Sequence, residues 1–394
     1  MMYDFETTIN RMATDSVKWD IQKNELPMWI ADMDFSTAPE IIADMHTKVA
    51  QGVFGYEQPN EDYFNAVANW YATVHQARPD TNWMIFSAGV VPSITSIVRH
   101  ISQIGDSVLV QAPVYNIFFH SIENNGRHVL SSDLVYEDGK YHIDFTDLED
   151  KLALSTTTLM IMCNPHNPVG KVWTHNELVK IVTLCQKHHV VLISDEIHGD
   201  LVLSEQSYTP AYSLSSDLRK QVISLVSPSK TFNVASLHAA TVIVPDSNLR
   251  AHVNRGLNID ELAEPNLLAI PGTIAAYTKG KPWLMQLQAY LKTNYLMARD
   301  FINQHIDGIF VSESYASYLM WINISQLDVS SDCLSKKIRE STGLILSAGT
   351  IYRGNGQEFV RLNFACPRVT LEDGLKRLQV AIELFRRENN YGIS

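Results

Sequence analysis

Short continuous apolar runs alternate with amphipathic stretches through the middle of the chain. Runs at residues 84–87, 107–111, 158–163, 190–194, 222–226 and 240–244 predict strands. Several are apolar throughout, the pattern of strands covered on both faces. Helical spacing at residues 92–103, 115–125, 174–188 and 248–256 falls between them. This alternation predicts a largely parallel α/β sheet. Past residue 280 the rhythm changes: a long amphipathic stretch at 281–305 precedes apolar runs at 317–324 and 358–364 and helical patterns at 332–340 and 370–388. That segment reads as a smaller α+β unit, joined without a flexible linker. The first 45 residues show no strand of their own and read as an arm packed elsewhere. The expected division is 1–45 for the arm and part of the small domain, 46–282 for the large domain and 283–394 for the C-terminal small domain.

Composition narrows the class. A length of 394 residues corresponds to roughly two to three domains. With 45% hydrophobic residues the chain is neither disordered nor fibrous. A net charge of −12 argues against general nucleic-acid binding, which requires a basic surface. No apolar run approaches the ~18 residues of a membrane helix, and the N-terminus lacks a signal-peptide pattern. Cys163, Cys185, Cys333 and Cys366 are scattered, so they read as reduced residues of a cytoplasmic enzyme and not as a disulfide or zinc framework.

Four short motifs carry candidate chemistry, each directly after a predicted strand. Ser227-Pro228-Ser229-Lys230 offers hydroxyls for a phosphate and an amine for a carbonyl; a surface lysine after a strand is the plain alternative. Asp195-Glu196-Ile197-His198 places a carboxylate where it can pair with a protonated heterocyclic nitrogen. Metal ligation or a solvated acidic loop compete with that reading. Cys163-Asn164-Pro165-His166-Asn167-Pro168-Val169-Gly170 forms a rigid turn that can aim an amide at a ligand oxygen, or merely connect strand and helix. Ser87-Ala88-Gly89-Val90-Val91-Pro92 suits a phosphate at a helix N-terminus, and a plain turn equally. In a parallel sheet all four converge on one rim. There they offer a phosphate seat, an acid for a ring nitrogen, an amide for a ring oxygen and an amine for a carbonyl. That set matches the functional groups of pyridoxal 5′-phosphate.

With these residues in hand, the chain resembles the fold-type-I pyridoxal-phosphate family, the class I/II aminotransferase superfamily. Within it the chain resembles the MalY/PatB-type cystathionine β-lyase branch of C–S lyases. The similarity runs from residues 26–35 (LPMWIADMDF) to residues 359–368 (FVRLNFACPR), with 52–56 (GVFGY), 164–173, 194–198 (SDEIH) and 229–233 (SKTFN) in the family's order. It implies a large, mostly parallel seven-stranded α/β/α domain with a small α+β domain.

By resemblance, Lys230 would form the Schiff base with the cofactor, Asp195 would pair the pyridinium nitrogen and Asn167 the phenolic oxygen. Tyr115 would stack on the ring. Amides of Gly89, Val90 and Val91 with Ser227 and Ser229 would hold the phosphate, and His198 belongs to the same cofactor set. Tyr56 would reach the phosphate from a neighbouring subunit, which implies a homodimer with shared sites. Arg361 would clamp the substrate carboxylate, with Ala31, Tyr115 and Asn167 nearby; no metal is implied. Tyr352 and the arm are expected to shape the side-chain pocket. Two departures from the aminotransferase pattern stand out: His198 replaces a tyrosine, and His238 occupies the place of a phosphate-binding arginine. The implied reaction is α,β-elimination on an amino acid with a sulfur leaving group, releasing thiol, pyruvate and ammonia. Transamination and a regulatory cofactor-binding role are the alternatives.

Overall fold

The computed structural model describes residues 2–389. Its main sheet comprises β1 (Met84–Ser87), β2 (Ser107–Val110), β3 (His128–Ser131), β4 (Thr157–Cys163), β5 (Val191–Asp195), β6 (Val222–Val226) and β7 (Ala240–Ile243). Across the sheet the order is β1-β7-β6-β5-β4-β2-β3. All neighbours pair in parallel except β7, which runs antiparallel to both β1 and β6. β3 has no counterpart among the predicted runs. It is an edge strand with no fully buried residue, so its sequence lacks the apolar continuity that marks the others. β6, by contrast, is buried at every position, as a strand sandwiched between helical layers must be.

Local signals set the element ends. The helix Val90–Ile101 starts at Gly89, whose φ of +136° is open to glycine and strained for other residues. The helix His175–Lys187 opens with a reciprocal capping box between Thr174 and Glu177. Tyr115 lies in the loop before the helix Ile117–Glu123, two residues later than its amphipathic spacing predicts.

A second sheet holds β8 (Phe310–Val311), β9 (Leu319–Asn323), β10 (Ser347–Ala348) and β11 (Phe359–Asn363) in the antiparallel order β8-β9-β11-β10. Arg361 of β11 sits in register between Trp321 and Ser347. The 25-residue helix Lys281–His305 leads from the large sheet to this one. The N-terminal segment does contain a strand, contrary to the sequence expectation: Leu26–Pro27 pairs in parallel with Leu344–Ile345. A two-residue strand is too short to leave a periodic signal.

Gly170, at the end of the Asn-Pro turn, joins the two sheets. Its carbonyl accepts from the amides of Tyr315 at 2.8 Å and Ala316 at 3.1 Å, just before β9. It adopts φ +68°, and a Cβ there would lie 1.8 Å from Ser314 Oγ. Gly170→Ala therefore carries backbone strain of about 1–3 kcal/mol plus the steric overlap. We expect a lower thermal unfolding midpoint, measured by circular dichroism; an unchanged midpoint would show that the loop relaxes freely.

Candidate active site

The carboxyl ends of β4, β5 and β6 open onto one cavity of about 370 Å³. Because β7 runs the other way, it enters the sheet at this same rim and brings His238 and Ala239 with it. The cavity is lined by Gly89, Val90, Val91, Tyr115, Asn167, Asp195, His198, Ser227, Ser229, Lys230 and Ala31, all singled out in the sequence. Arg361 stands immediately behind, 5% exposed, and donates from Nη1 to Asn167 Oδ1 at 3.1 Å. Tyr352 does not line the cavity; its ring lies 5.0 Å from the Arg361 guanidinium and braces it. Tyr56 is 99% exposed and remains outside the cavity of its own chain.

Lys230 rides on the four-residue helix Pro228–Thr231, whose first turn is capped by Ser227. The Ser227 hydroxyl accepts from the Ser229 amide at 3.1 Å and donates to the Ala239 carbonyl at 2.7 Å. Lys230 Nζ donates to the Ala31 carbonyl at 2.5 Å. Tyr318 shares that acceptor, its hydroxyl donating at 3.1 Å. Opposite, Gly89 and the amides that start the helix Val90–Ile101 face the cavity near Ser227, Ser229 and His238. Unpaired amides at a helix start, aided by its dipole, form an anion seat.

The acidic loop separates cleanly. Asp195, 4% exposed, faces the cavity and accepts from the Ile197 amide at 3.2 Å. Glu196 turns away to the Tyr208 hydroxyl, the Ala211 amide and Ser224. A joint metal site for Asp195, Glu196 and His198 is thereby broken up. Burial equally removes the alternative of a solvated loop. Among the described residues no group of three or more His, Cys, Asp or Glu side chains is placed to hold a metal ion.

Enclosure governs the titrations. Burial raises the Asp195 carboxyl to about 7, opposed by the Ile197 amide and reinforced by Glu196. It lowers Lys230 to about 8, against the pull of Asp32 and Asp195 and with the help of Arg361. His198 falls to about 3, first through burial and then through the charges of Lys230 and Arg361, so its imidazole is neutral. Tyr115 rises to about 12, again mainly by burial. The site thus holds an amine that deprotonates near neutrality beside an acid that ionises near neutrality.

Several contributors escaped the sequence reading. Cys163 and Ile197 line the cavity; both lie within the strand-end motifs, but no role was assigned to them, because the chemistry was read from their polar neighbours. Ala235, Ala239 and Tyr318 left no signal, because the first two lie in the connection from the Lys230 helix to antiparallel β7 and Tyr318 stands just before β9 of the second sheet.

The chain belongs to the aminotransferase class I and II family, whose model matches residues 29–378. It is 39% identical to the cystathionine beta-lyase PatB of Bacillus subtilis, across 96% of this chain and 100% of that protein. Protein MalY of Escherichia coli is 35% identical, over 98% of this chain and 100% of the relative. Among solved structures, cystalysin from Treponema denticola, which contains a pyridoxal 5′-phosphate cofactor, superposes with a TM-score of 0.94 at 30% identity, covering 97% of this chain and 99% of that one.

The depressed lysine sets a pH signature for the ligand-free protein. Below its pKa the amine is protonated and cannot attack; above it the free amine reacts. Reductive trapping of Lys230 by a small aldehyde, followed by peptide mapping, should therefore rise through a midpoint near 8 instead of the ordinary 10.5. Because Asp32 favours the protonated amine, Asp32→Asn should move that midpoint lower. A midpoint at the ordinary lysine value would contradict the enclosure described.

Proposed function

We propose that the protein is a pyridoxal 5′-phosphate-dependent carbon–sulfur β-lyase that eliminates the sulfur substituent of L-cystathionine or a related cysteine derivative. The observation that carries this reading is the full-length identity to a cystathionine beta-lyase, 39% over 386 residues. The cavity suits the cofactor on independent grounds. Its anion seat, its carboxylate and its amine lie on one rim, and buried His198 Nδ1 and Arg361 Nε have no hydrogen-bond partner among the described residues. Both groups lie at or beside the cavity, where a bound ligand would satisfy them. Bound there, pyridoxal 5′-phosphate supplies an aldehyde for the amines and an electron sink for a carbanion at the substrate Cα.

The chain's own residues do the rest. Gly89, Val90 and Val91 amides with Ser227 and Ser229 hold the phosphate, and His238 lies in the same part of the cavity. Tyr115 would pack on the cofactor's ring face, Asn167 would face its oxygen and His198 would add a neutral ring nitrogen. Asp195 opposes the ring nitrogen; a cation placed there favours the ionised carboxylate and draws its pKa down. Arg361, tied to Asn167, presents a planar fork to the substrate carboxylate beside Ala31. Lys230 would be the base that takes the Cα proton, and its lowered pKa suits that task. Loss of the thiol from Cβ then leads, with water, to pyruvate and ammonia.

The dimer belongs to the same proposal. Val53, Phe54 and Tyr56 are 72%, 68% and 99% exposed on one loop, a cluster of large apolar side chains that a second copy would cover. Tyr56 then reaches the phosphate seat of that copy. A cytoplasmic setting is consistent with four free cysteines.

L-Cystathionine should yield equal amounts of pyruvate and free thiol. Amino transfer to 2-oxoglutarate without thiol release would refute the lyase. Lys230→Ala should abolish both the visible absorbance of the bound cofactor and turnover. Arg361→Ala should lower kcat/KM by about 10- to 100-fold, the scale of hydrogen bonds to a charged group. Steady-state kinetics on the purified variants checks both roles.

A further inference from the structure

The segment at residues 29–35 crosses the site as a strap, and both key cations bind its backbone. Lys230 Nζ donates to the Ala31 carbonyl, and Arg361 Nη2 to the Trp29 carbonyl at 2.9 Å. Side chains from several other regions hold the strap, three of them through two or more hydrogen bonds each. Asn233, three residues after Lys230, accepts from the Met33 amide at 3.0 Å and donates to the Met33 and Phe35 carbonyls at 3.0 and 2.9 Å. Asn363, two residues after Arg361, donates to the Ile30 and Asp32 carbonyls at 2.7 and 2.6 Å.

The third anchor is the N-terminal arm, which the reaction itself does not use. Arg11 pairs with Asp32 at 2.7 Å and Asp34 at 3.1 Å, and donates to the Met33 carbonyl at 3.2 Å. Lys18, only 2% exposed, pairs with Asp34 at 2.8 Å and donates to the Asp32 carbonyl at 3.1 Å. Trp19 donates from its indole to Asp34 at 2.8 Å. A lysine this deeply buried is costly unless its charge is fully engaged, so the arm and strap form one unit.

We propose that Arg11 and Lys18 are positioning residues for the reaction: through Asp32 and Asp34 they fix the strap that holds Lys230 and Arg361 in mutual register. This rests on the roles assigned to Lys230 and Arg361 above. The charged and titratable groups that face Lys230 are Asp32 on the strap, Asp195 and His198 at the end of β5, Arg361 on β11 and Tyr318 on β9. Arg11 neutralises Asp32 from the far side. Without Arg11, more of that negative charge acts on Lys230 and favours its protonated form.

The test uses the holoenzyme and the variants Arg11→Gln and Arg11→Lys. For each, the pH midpoint of the absorbance of the cofactor linked to Lys230 is measured, together with backbone amide exchange over residues 29–35. In Arg11→Gln the midpoint should rise by about 0.3–1 unit, exchange should accelerate, and KM for the amino-acid substrate should increase more than kcat falls. Arg11→Lys should restore most of each change. An unmoved midpoint overturns the proposal, whether or not exchange accelerates, since the arm then acts on stability alone. A wild-type absorbance that survives Lys230→Ala would refute the underlying reading instead, so the two failures are distinguishable.

Discussion

An amine enclosed in protein must find acceptors or surrender its proton, and Lys230 does part of each. Among the described residues its hydrogen-bond acceptor is the Ala31 carbonyl, contributed from 199 residues earlier in the sequence. Much of the architecture follows from placing that carbonyl. The strand β6 delivers Lys230 to the rim, the Ser227 cap turns its helix inward, and the strap must pass within 2.5 Å of the amine. The strap in turn follows closely on Leu26–Pro27, which pairs with Leu344–Ile345, and is fastened by Asn363 beyond. Lysine, strap and second sheet are therefore one mechanical assembly, and Arg361 takes its position from the same backbone.

Local electrostatics, and not total charge, decide what this cavity can hold. A chain of net charge −12 nonetheless concentrates Arg361, Lys230 and the helix-start amides around a single space. Acidic residues nearby are partitioned by geometry. Asp195 faces inward, while Glu196 is spent on Tyr208, Ser224 and the Ala211 amide, and so braces the loop from behind. Neutral His198 avoids adding a third positive charge beside Lys230 and Arg361. Opposed shifts at Lys230 and Asp195 bring both near neutrality, the range in which proton transfer is readily reversed.

The sequence by itself determined the strands that carry the chemistry and the motifs at their ends. Continuous apolar runs and turn residues are local patterns, and a parallel sheet aligns its carboxyl ends on one side by construction. Lys230, Asp195, Asn167 and Gly89 were legible for that reason. Arg361 was singled out only through family resemblance, since it follows no strand of the main sheet. Tertiary structure alone decided the reversal of β7, which seats His238 and Ala239 at the rim, and the outward turn of Glu196. It alone joined Arg11 and Lys18 to Asp32 and Asp34, and Ala31 to Lys230 and Tyr318. Those contacts link segments distant in the chain, and each depends on where side chains meet after folding, a relation that no local periodicity encodes.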